Sequence, residues 1–282
     1  MTRTIRTRRH QRSRKGVKKG VKKGVKKSSK RNNKLRTRKQ RGGRDLRTLI
    51  DVASDGKIDA VLYKLTRPDT DVNMADDNGF TALQLASMHN HILVVNVLLA
   101  QPGIKVNKAD KVEKRTALID AAEEGHTEVV KALLAHPNIL VNQPTSNNGT
   151  ALYWAAYKGR AEVVKALLSQ PGIEVNLPNS NGDTPLLIAS EYGMIEVVNA
   201  LLSQPGIDVN KANSDGNTPL LVAVRDGRIE VVKALLRQPG IDVNQANHNG
   251  ETPLAVARIW GNEELVTVIQ TAINAREVVG GH

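Results

Sequence analysis

The sequence predicts an all-α solenoid of about seven stacked helix-turn-helix units with β-hairpin or finger loops, preceded by a disordered basic tail. One observation is a phrase of Thr, then Ala or Pro, then Leu, which recurs six times between residues 81 and 254 at steps of 34 or 35 residues. A fixed period of this length is typical of stacked supersecondary units. The other observation is charge, because residues 1–44 hold 21 Lys and Arg and no acidic residue.

The composition of the 282 residues limits the class of protein. A hydrophobic content of 40% allows a sizeable core, and an aromatic content of 2% requires that core to be aliphatic. The absence of Cys excludes disulfides, a Cys nucleophile and thiolate zinc sites. No apolar run approaches the roughly 18–20 residues of a membrane span, and residues 1–14 contain no secretory hydrophobic region.

The first element is the tail, residues 1–44. The rest of the chain holds the remaining 20 of the 41 basic residues against all 28 acidic ones, so the tail carries +21 and the rest −8. This change in composition places a boundary near Gly42-Gly43. Self-repulsion and low hydrophobicity predict that the tail is disordered.

The repeating unit is well represented by residues 184–210. Thr184 suits the N-cap of a first helix, and Pro185 suits its first position. This helix is predicted to run to about Tyr192, where Gly193 ends it in a left-handed conformation. The second helix carries an apolar stripe at helical spacing. The stripe consists of Val197, Val198, Leu201 and Leu202.

Each unit closes with a Val-Asn phrase, and the phrase keeps the same period. Its asparagines are Asn73, Asn107, Asn142, Asn176, Asn210 and Asn244. A single helix pair cannot bury its own stripe, but a stack of pairs can. We predict an N-terminal cap at about 45–73, a C-terminal cap at about 245–274 and a frayed C-terminus at 275–282.

These phrases resemble the ankyrin repeat. The match includes Thr-Pro-Leu before the first helix, a Gly between the helices, Glu-Val-Val in the second helix and the closing Asp-Val-Asn. The mid-repeat glycines are Gly125, Gly159, Gly193, Gly227 and Gly261. The resemblance covers roughly residues 45–274 and implies a curved stack of helix pairs, β-hairpin fingers along one edge and a protein-binding function.

The sequence departs from the ankyrin pattern in three ways. Each unit has an extra residue in its Gln-Pro-Gly turn, and the finger at 110–115 is one residue longer and lacks its Gly. The family's usual His after Thr-Pro-Leu is absent, which puts its hydrogen bond in doubt. The residues in its place are Gln84, Ile119, Tyr153, Leu187, Leu221 and Ala255.

No motif indicates catalysis, a cofactor or a metal. The chain has no phosphate-binding loop and no His-Glu-x-x-His motif. His89 and His91 are close in sequence but lack further ligands, so we interpret them as a surface pair. Asp120, Glu123 and Glu124 resemble an acid/base cluster, but we interpret them as solvated repeat positions. We therefore expect a non-enzymatic protein.

The resemblance implies that partners bind on the concave surface formed by the finger tips and the two residues before each mid-repeat Gly. These pairs, unlike the core positions, differ from copy to copy. They are Met88-His89, Glu123-Glu124, Tyr157-Lys158, Glu191-Tyr192, Arg225-Asp226 and Ile259-Trp260. Phe80, just before Thr81, adds a finger residue.

Aromatic residues are concentrated on this predicted surface. Four of the seven aromatic residues lie on it, namely Phe80, Tyr157, Tyr192 and Trp260, and aromatic side chains are enriched in interface hot spots. Two alternatives stay open: Trp260 covers the terminal repeat, or Tyr157 and Tyr192 pack on each other. Trp154, inside a first helix, is predicted to belong to the core.

The tail predicts binding to polyanions. Its candidate contacts are Arg8, Arg9, Arg14, Lys15, Lys18, Lys19, Lys22, Lys23, Lys26, Lys27, Lys30 and Arg31. Without aromatic residues it cannot stack on bases, so DNA or RNA binding would be electrostatic and non-specific. Alternative interpretations are a nuclear import signal, attraction to an anionic membrane surface, or an internal mask over the acidic repeats.

Two hypotheses follow from the sequence. The first is an interaction scaffold whose repeats bind an unidentified protein and whose tail localises it. The second is a nucleic-acid-associated protein whose tail binds DNA or RNA while the repeats recruit a partner. We expect a monomer in the nucleus or cytoplasm, and a basic tail ahead of such repeats also resembles, in style, proteins of large DNA viruses.

Overall fold

The computed structural model describes residues 47–280, with side chains up to residue 276. The candidate polyanion contacts of the tail therefore lie outside the described residues. Within 47–280 the chain forms seven helix pairs and no strand, which confirms the all-α fold class. None of these helices is both long and apolar enough to cross a membrane.

Each repeat contributes two helices, which are short except for the last one, α14, with 18 residues. The first helices are α1 (Leu49–Ser54), α3 (Ala82–Met88), α5 (Ala117–Glu124), α7 (Ala151–Tyr157), α9 (Pro185–Tyr192), α11 (Pro219–Arg225) and α13 (Pro253–Ile259). The second helices are α2 (Ile58–Leu65), α4 (Ile92–Leu99), α6 (Thr127–Leu134), α8 (Ala161–Leu168), α10 (Ile195–Leu202), α12 (Ile229–Leu236) and α14 (Glu263–Gly280). α14 continues past residue 274, where the sequence predicted that the repeats end.

Every first helix begins at a threonine N-cap. The Thr hydroxyl accepts a hydrogen bond from a backbone N–H of the first turn, as expected for this cap. The seven caps are Thr48, Thr81, Thr116, Thr150, Thr184, Thr218 and Thr252. The first repeat lacks the Thr-Pro-Leu phrase, but Thr48 and Asp51 form a full capping box there.

Left-handed residues separate the two helices and shape the fingers. Gly193 has a φ of 73°, as predicted, and Asn90 takes the equivalent place in the second repeat with a φ of 61°. In the fingers, Lys114 and Asn148 occupy the position of the usual Gly with φ values of 58° and 62°. The finger that lacks its Gly therefore keeps the same backbone conformation with a lysine.

The core is aliphatic and repeats with the sequence. One leucine of each inner second helix is fully buried, and so is one leucine near the start of most first helices. These side chains are Leu98, Leu133, Leu167, Leu201 and Leu235, and Leu118, Leu152, Leu186 and Leu220. Trp154 is also buried, as predicted.

The asparagines of the Val-Asn phrases form a ladder of hydrogen bonds between repeats. Its members are Asn73, Asn107, Asn142, Asn176 and Asn210. Each side-chain amide donates to a carbonyl in the turn of the next repeat at 2.6–2.8 Å. Each side-chain oxygen accepts from a backbone N–H two residues further on, at 2.7–3.1 Å. The ladder therefore joins the first six repeats in sequence, with two hydrogen bonds at each of their five joints.

The fingers are turns closed by side chains, and within residues 47–280 the only β-bridge joins Ala75 and Thr81. Asp76 Oδ1 accepts from the backbone N–H groups of Asn78 and Phe80 at 3.0 and 2.8 Å. The carboxylate thus takes bonds that a hairpin would make between strands. Neighbouring fingers are joined by their backbones, as where Ser180 N donates to Asn147 O at 2.8 Å.

Candidate protein-binding surface

Twelve of the thirteen predicted contact residues end the first helices or directly follow them, whereas Phe80 precedes the N-cap of α3. We call them the helix-one row, defined as the six pairs that precede the mid-repeat Gly or its equivalent, plus Phe80. Arginines at the N-termini of two second helices donate hydrogen bonds to the first-helix ends of the preceding repeat. Arg160 Nε donates to Glu123 O at 3.0 Å, and Arg228 Nε donates to Glu191 O at 3.0 Å.

The centre of the helix-one row is an aromatic cluster. The Tyr157 ring packs edge-to-face on Tyr192 with centroids 5.1 Å apart, and on Trp154 with centroids 5.9 Å apart. Tyr192 remains 40% exposed. The pair Tyr157–Tyr192 therefore packs on itself, as one alternative held, and still presents an aromatic surface to solvent.

A buried arginine that the sequence prediction missed lies beside this cluster. Arg115 Nε lies 2.6 Å from Asp120 Oδ1, and Arg115 Nη2 lies 2.5 Å from Glu123 Oε2. The guanidinium also stands over the Trp154 ring, 5.2 Å from its centroid. Arg115 directly precedes the N-cap Thr116, just as Phe80 directly precedes Thr81. This shared finger position was the sequence signal that could have identified Arg115 as a site residue.

The prediction that Asp120 and Glu123 are solvated is wrong. Both are buried, because Arg115 of the longer finger folds over them, whereas Glu124 is exposed. Burial raises the pKa of Asp120 to about 7, although the Arg115 charge opposes the shift. Burial alone would lower the pKa of Arg115, but Asp120 and Glu123 outweigh it and raise that pKa.

Glu123 also binds a second cation at the surface. Its Oε1 lies 3.2 Å from Lys158 Nζ, and the same Nζ lies 5.1 Å from the centroid of the Tyr157 ring. Glu123 thus bridges buried Arg115 and the more exposed Lys158. The carboxylate connects the charged network of the third repeat to the aromatic cluster of the fourth.

Further along the row the contacts are looser. Arg225 Nη2 lies 3.5 Å from Glu191 Oε1, and Arg225 Nε lies 3.8 Å from Asp226 Oδ1. At the last repeat, Ile259 and Trp260 are 74% and 68% exposed. The alternative that Trp260 covers the terminal repeat is therefore wrong.

At the other end, the row meets the first repeat. Phe80 and Met88 are half-buried, and the Phe80 ring packs against the core. His89 is exposed, and its Nδ1 lies 3.3 Å from Ser54 Oγ. Partial loss of hydration around the His89 ring, with the nearby His91, lowers the pKa of His89. The two rings lie 6.0 Å apart, and no group of three metal-binding side chains is found within the part of the chain that the structure describes.

Two polar groups take over the bond of the absent family His. Gln84 Nε2 donates to Arg115 O of the next finger at 2.7 Å. Tyr153 Oη accepts from Asn179 Nδ2 of the next finger at 2.9 Å. The other replacements are apolar, so this link between repeats is made by side chains of different chemistry at only some of the joints.

The fold and the ladder define a repeat solenoid with a row of contact residues along its first helices. A family model described as ankyrin repeats (3 copies) matches residues 49–143, 107–179, 138–213 and 206–276. The chain belongs to the ankyrin repeat family. Members of this family generally mediate protein–protein interactions.

The structural comparison agrees with the family. The chain is similar to the ankyrin repeat domain of Bcl-3, described as a unique member of the IkappaB protein family, with 26% identity and a TM-score of 0.69 over 80% of this chain and 100% of that one. In all, 586 chains of solved structures match, so the fold alone does not select a partner. Among curated proteins, no significant match was found.

Proposed function

We propose that the chain is a non-enzymatic interaction scaffold that binds a protein partner through the helix-one row and the adjacent fingers. The observation that carries this proposal is the central cluster, in which Tyr157 and Tyr192 pack edge-to-face while Tyr192 stays 40% exposed. Partly exposed aromatic side chains supply large contact areas at a low cost in conformational entropy.

The surroundings of the cluster favour a binding hot spot. Trp154 packs edge-to-face on Tyr157, and Arg115 stands over Trp154. Lys158, paired with Glu123, lies over the Tyr157 ring, and Glu191, next to Tyr192 in sequence, pairs with Arg225. A rigid aromatic centre with charged groups around it matches the usual anatomy of an interface core and rim. Few side chains would need to be ordered on binding, which keeps the entropic cost low.

Quantitative affinity capture with the full chain as bait tests the proposal. We expect Tyr157→Ala with Tyr192→Ala to lose the partner that the wild type captures. Tyr63→Ala is the matched control, because Tyr63 is 59% exposed but lies on α2, outside the row. Equal capture by all three folded proteins would contradict the proposal.

A second proposal concerns the tail, on the observation that residues 1–44 hold 21 basic and no acidic residues. We propose that it binds DNA or RNA without sequence specificity. Fluorescence anisotropy across a salt series would compare the full chain with a variant in which all eight Lys of residues 15–30 are Gln. A steep salt dependence that the variant loses is expected from counterion release, and equal binding by both proteins would refute it.

The tail also has the composition of a nuclear import signal, and we propose nuclear rather than cytoplasmic accumulation as its cellular effect. The same Lys→Gln variant provides the control. Imaging of fluorescent fusions should show the full chain in the nucleus and the variant distributed between both compartments. The same distribution for both proteins would remove this role.

A further inference from the structure

Glu123 and Tyr157 form a cation-binding site, and Lys158 of the same chain occupies it. Its ammonium lies 3.2 Å from Glu123 Oε1 and 5.1 Å from the centroid of the Tyr157 ring. A carboxylate beside an aromatic face is the arrangement that binds Lys or Arg through an ion pair and a cation–π contact. The site joins the third repeat to the fourth.

A second cation occupies the same kind of site more deeply. Arg115 stands over Trp154 between Asp120 and Glu123. The side chain of Arg115 is only 11% exposed, whereas that of Lys158 is 37% exposed. Arg115 is therefore fixed by its burial, and Lys158 is the cation that can leave, because an exposed ion pair stabilises the fold only weakly.

The carboxylates at the site favour a cation in the place of Lys158. Exposed Glu124 follows Glu123, and the two arginines nearby make contacts of their own. Arg160 donates to the carbonyl of Glu123, and Arg225 pairs with Glu191. The chain outside the tail has 28 acidic residues against 20 basic ones. An acidic partner segment, in contrast, would have to approach the carboxylates of Glu123 and Glu124.

We propose that the protein partner inserts a Lys or Arg side chain that displaces Lys158 from Glu123 and Tyr157. This inference rests on the proposed function and names the chemistry of its partner: an exposed segment with a basic residue at its centre. Tyr192, which packs on Tyr157, then forms the wall against which the stem of that residue lies.

Fluorine NMR of the full chain labelled with 3-fluorotyrosine provides the test. The chain has only four tyrosines, so each signal can be assigned by a Tyr→Phe variant, and Tyr63 serves as the internal control. The probes are two short synthetic peptides, one of alternating Lys and Ser and one of alternating Glu and Ser. We expect the Lys peptide to move the Tyr157 signal in a saturable way and to leave the Tyr63 signal in place.

Lys158→Ala and Glu123→Gln give opposite expectations. Removing the resident lysine should tighten binding of the Lys peptide about threefold, since it no longer competes for an exposed ion pair. Glu123→Gln should abolish the Tyr157 response. An unmoved Tyr157 signal at millimolar Lys peptide, weaker binding by Lys158→Ala, or a response to the Glu peptide alone would overturn the inference. Capture that still depends on Tyr157 and Tyr192 would then leave the proposed function standing.

Discussion

The guanidinium carbon of Arg115 lies 5.2 Å from the centroid of the Trp154 ring, and both side chains are buried. Arg115 belongs to the finger before α5, and Trp154 to α7. One side chain therefore joins the acidic residues of one repeat to the aromatic cluster of the next. Arg115 therefore contacts both the charged network and the aromatic cluster at this joint of the stack.

Arg115→Ala should destabilise the fold strongly. The change leaves Asp120 buried without its counter-ion and Glu123 with only the more exposed Lys158. Removing one partner of a buried ion pair costs about 3–5 kcal/mol in other proteins. Urea denaturation measures the loss. The triple variant Arg115→Ala, Asp120→Asn and Glu123→Gln is the control and should recover part of the loss, since it removes the unpaired charges. A single variant within about 0.5 kcal/mol of the wild type would show that the network adds nothing.

The stability of the wild type should depend on pH through Asp120. The pKa of Asp120 is about 7 in the folded chain against an ordinary 3.8. Between pH 3.8 and 7 the Asp120 carboxyl is therefore protonated in the folded state and ionised in the unfolded state. Asp120 therefore stabilises the fold most below pH 4, and this contribution is lost as the pH rises towards 7 and beyond.

Asp120→Asn isolates this contribution. The free energy of unfolding of the wild type minus that of the variant should fall as the pH rises from 4 to 8, by at most about 4 kcal/mol at 1.36 kcal/mol per pKa unit. Urea denaturation of both proteins at several pH values measures it, because titrating groups distant from Asp120 contribute equally to both. Two parallel pH profiles would show that Asp120 keeps an ordinary pKa.

Asn142→Ala should weaken the joint between the third and fourth repeats. Its side chain donates to Gly172 O at 2.8 Å and accepts from Glu174 N at 3.1 Å. Losing both bonds at a half-buried position should cost about 1–3 kcal/mol in urea denaturation. Asn244→Ala is the matched control, because Asn244 is exposed and no later turn follows it in the described residues. Equal losses would mean that the ladder does not stabilise the stack.

Lys114→Gly should stabilise the longest finger. A left-handed conformation costs an L-residue roughly 1–2 kcal/mol, and Lys114 is exposed with a φ of 58°. The greater chain entropy of glycine offsets part of the gain, so we expect about 0.5–1 kcal/mol. Lys111→Gly, in the same finger without a positive φ, should destabilise instead. A loss of stability in both variants would contradict the strain.

The repeat fold could be predicted because the residues that determine it recur at a fixed spacing in the sequence. Thr184, Gly193 and the stripe around Leu201 recur at one spacing, and spacing alone sets the caps, the break and the buried face. The asparagine ladder was visible as a phrase around Asn142, but its role was not, because its partners lie thirty residues further on, where only the folded turn brings them near.

The site was less predictable because it depends on exceptions to the period. Arg115 lies in a finger that departs from the repeat, and nothing in its local sequence indicates that it turns inward over Trp154. The burial of Asp120 and Glu123 follows from that turn alone. The position of Tyr157 and Tyr192 on one surface, in contrast, followed from the register.

The asparagine ladder allows the number of repeats in the chain to vary. Because each joint uses the same donor and acceptor at nearly the same offset, a whole unit can be duplicated or excised, and the two cut ends still present complementary faces. The joint that begins at Asn107 reaches its carbonyl 31 residues away, where the others need 30, so the ladder also tolerates one added residue when the finger absorbs it. An array of this kind can grow or shrink during evolution by copying segments of the gene, with no new interface to invent.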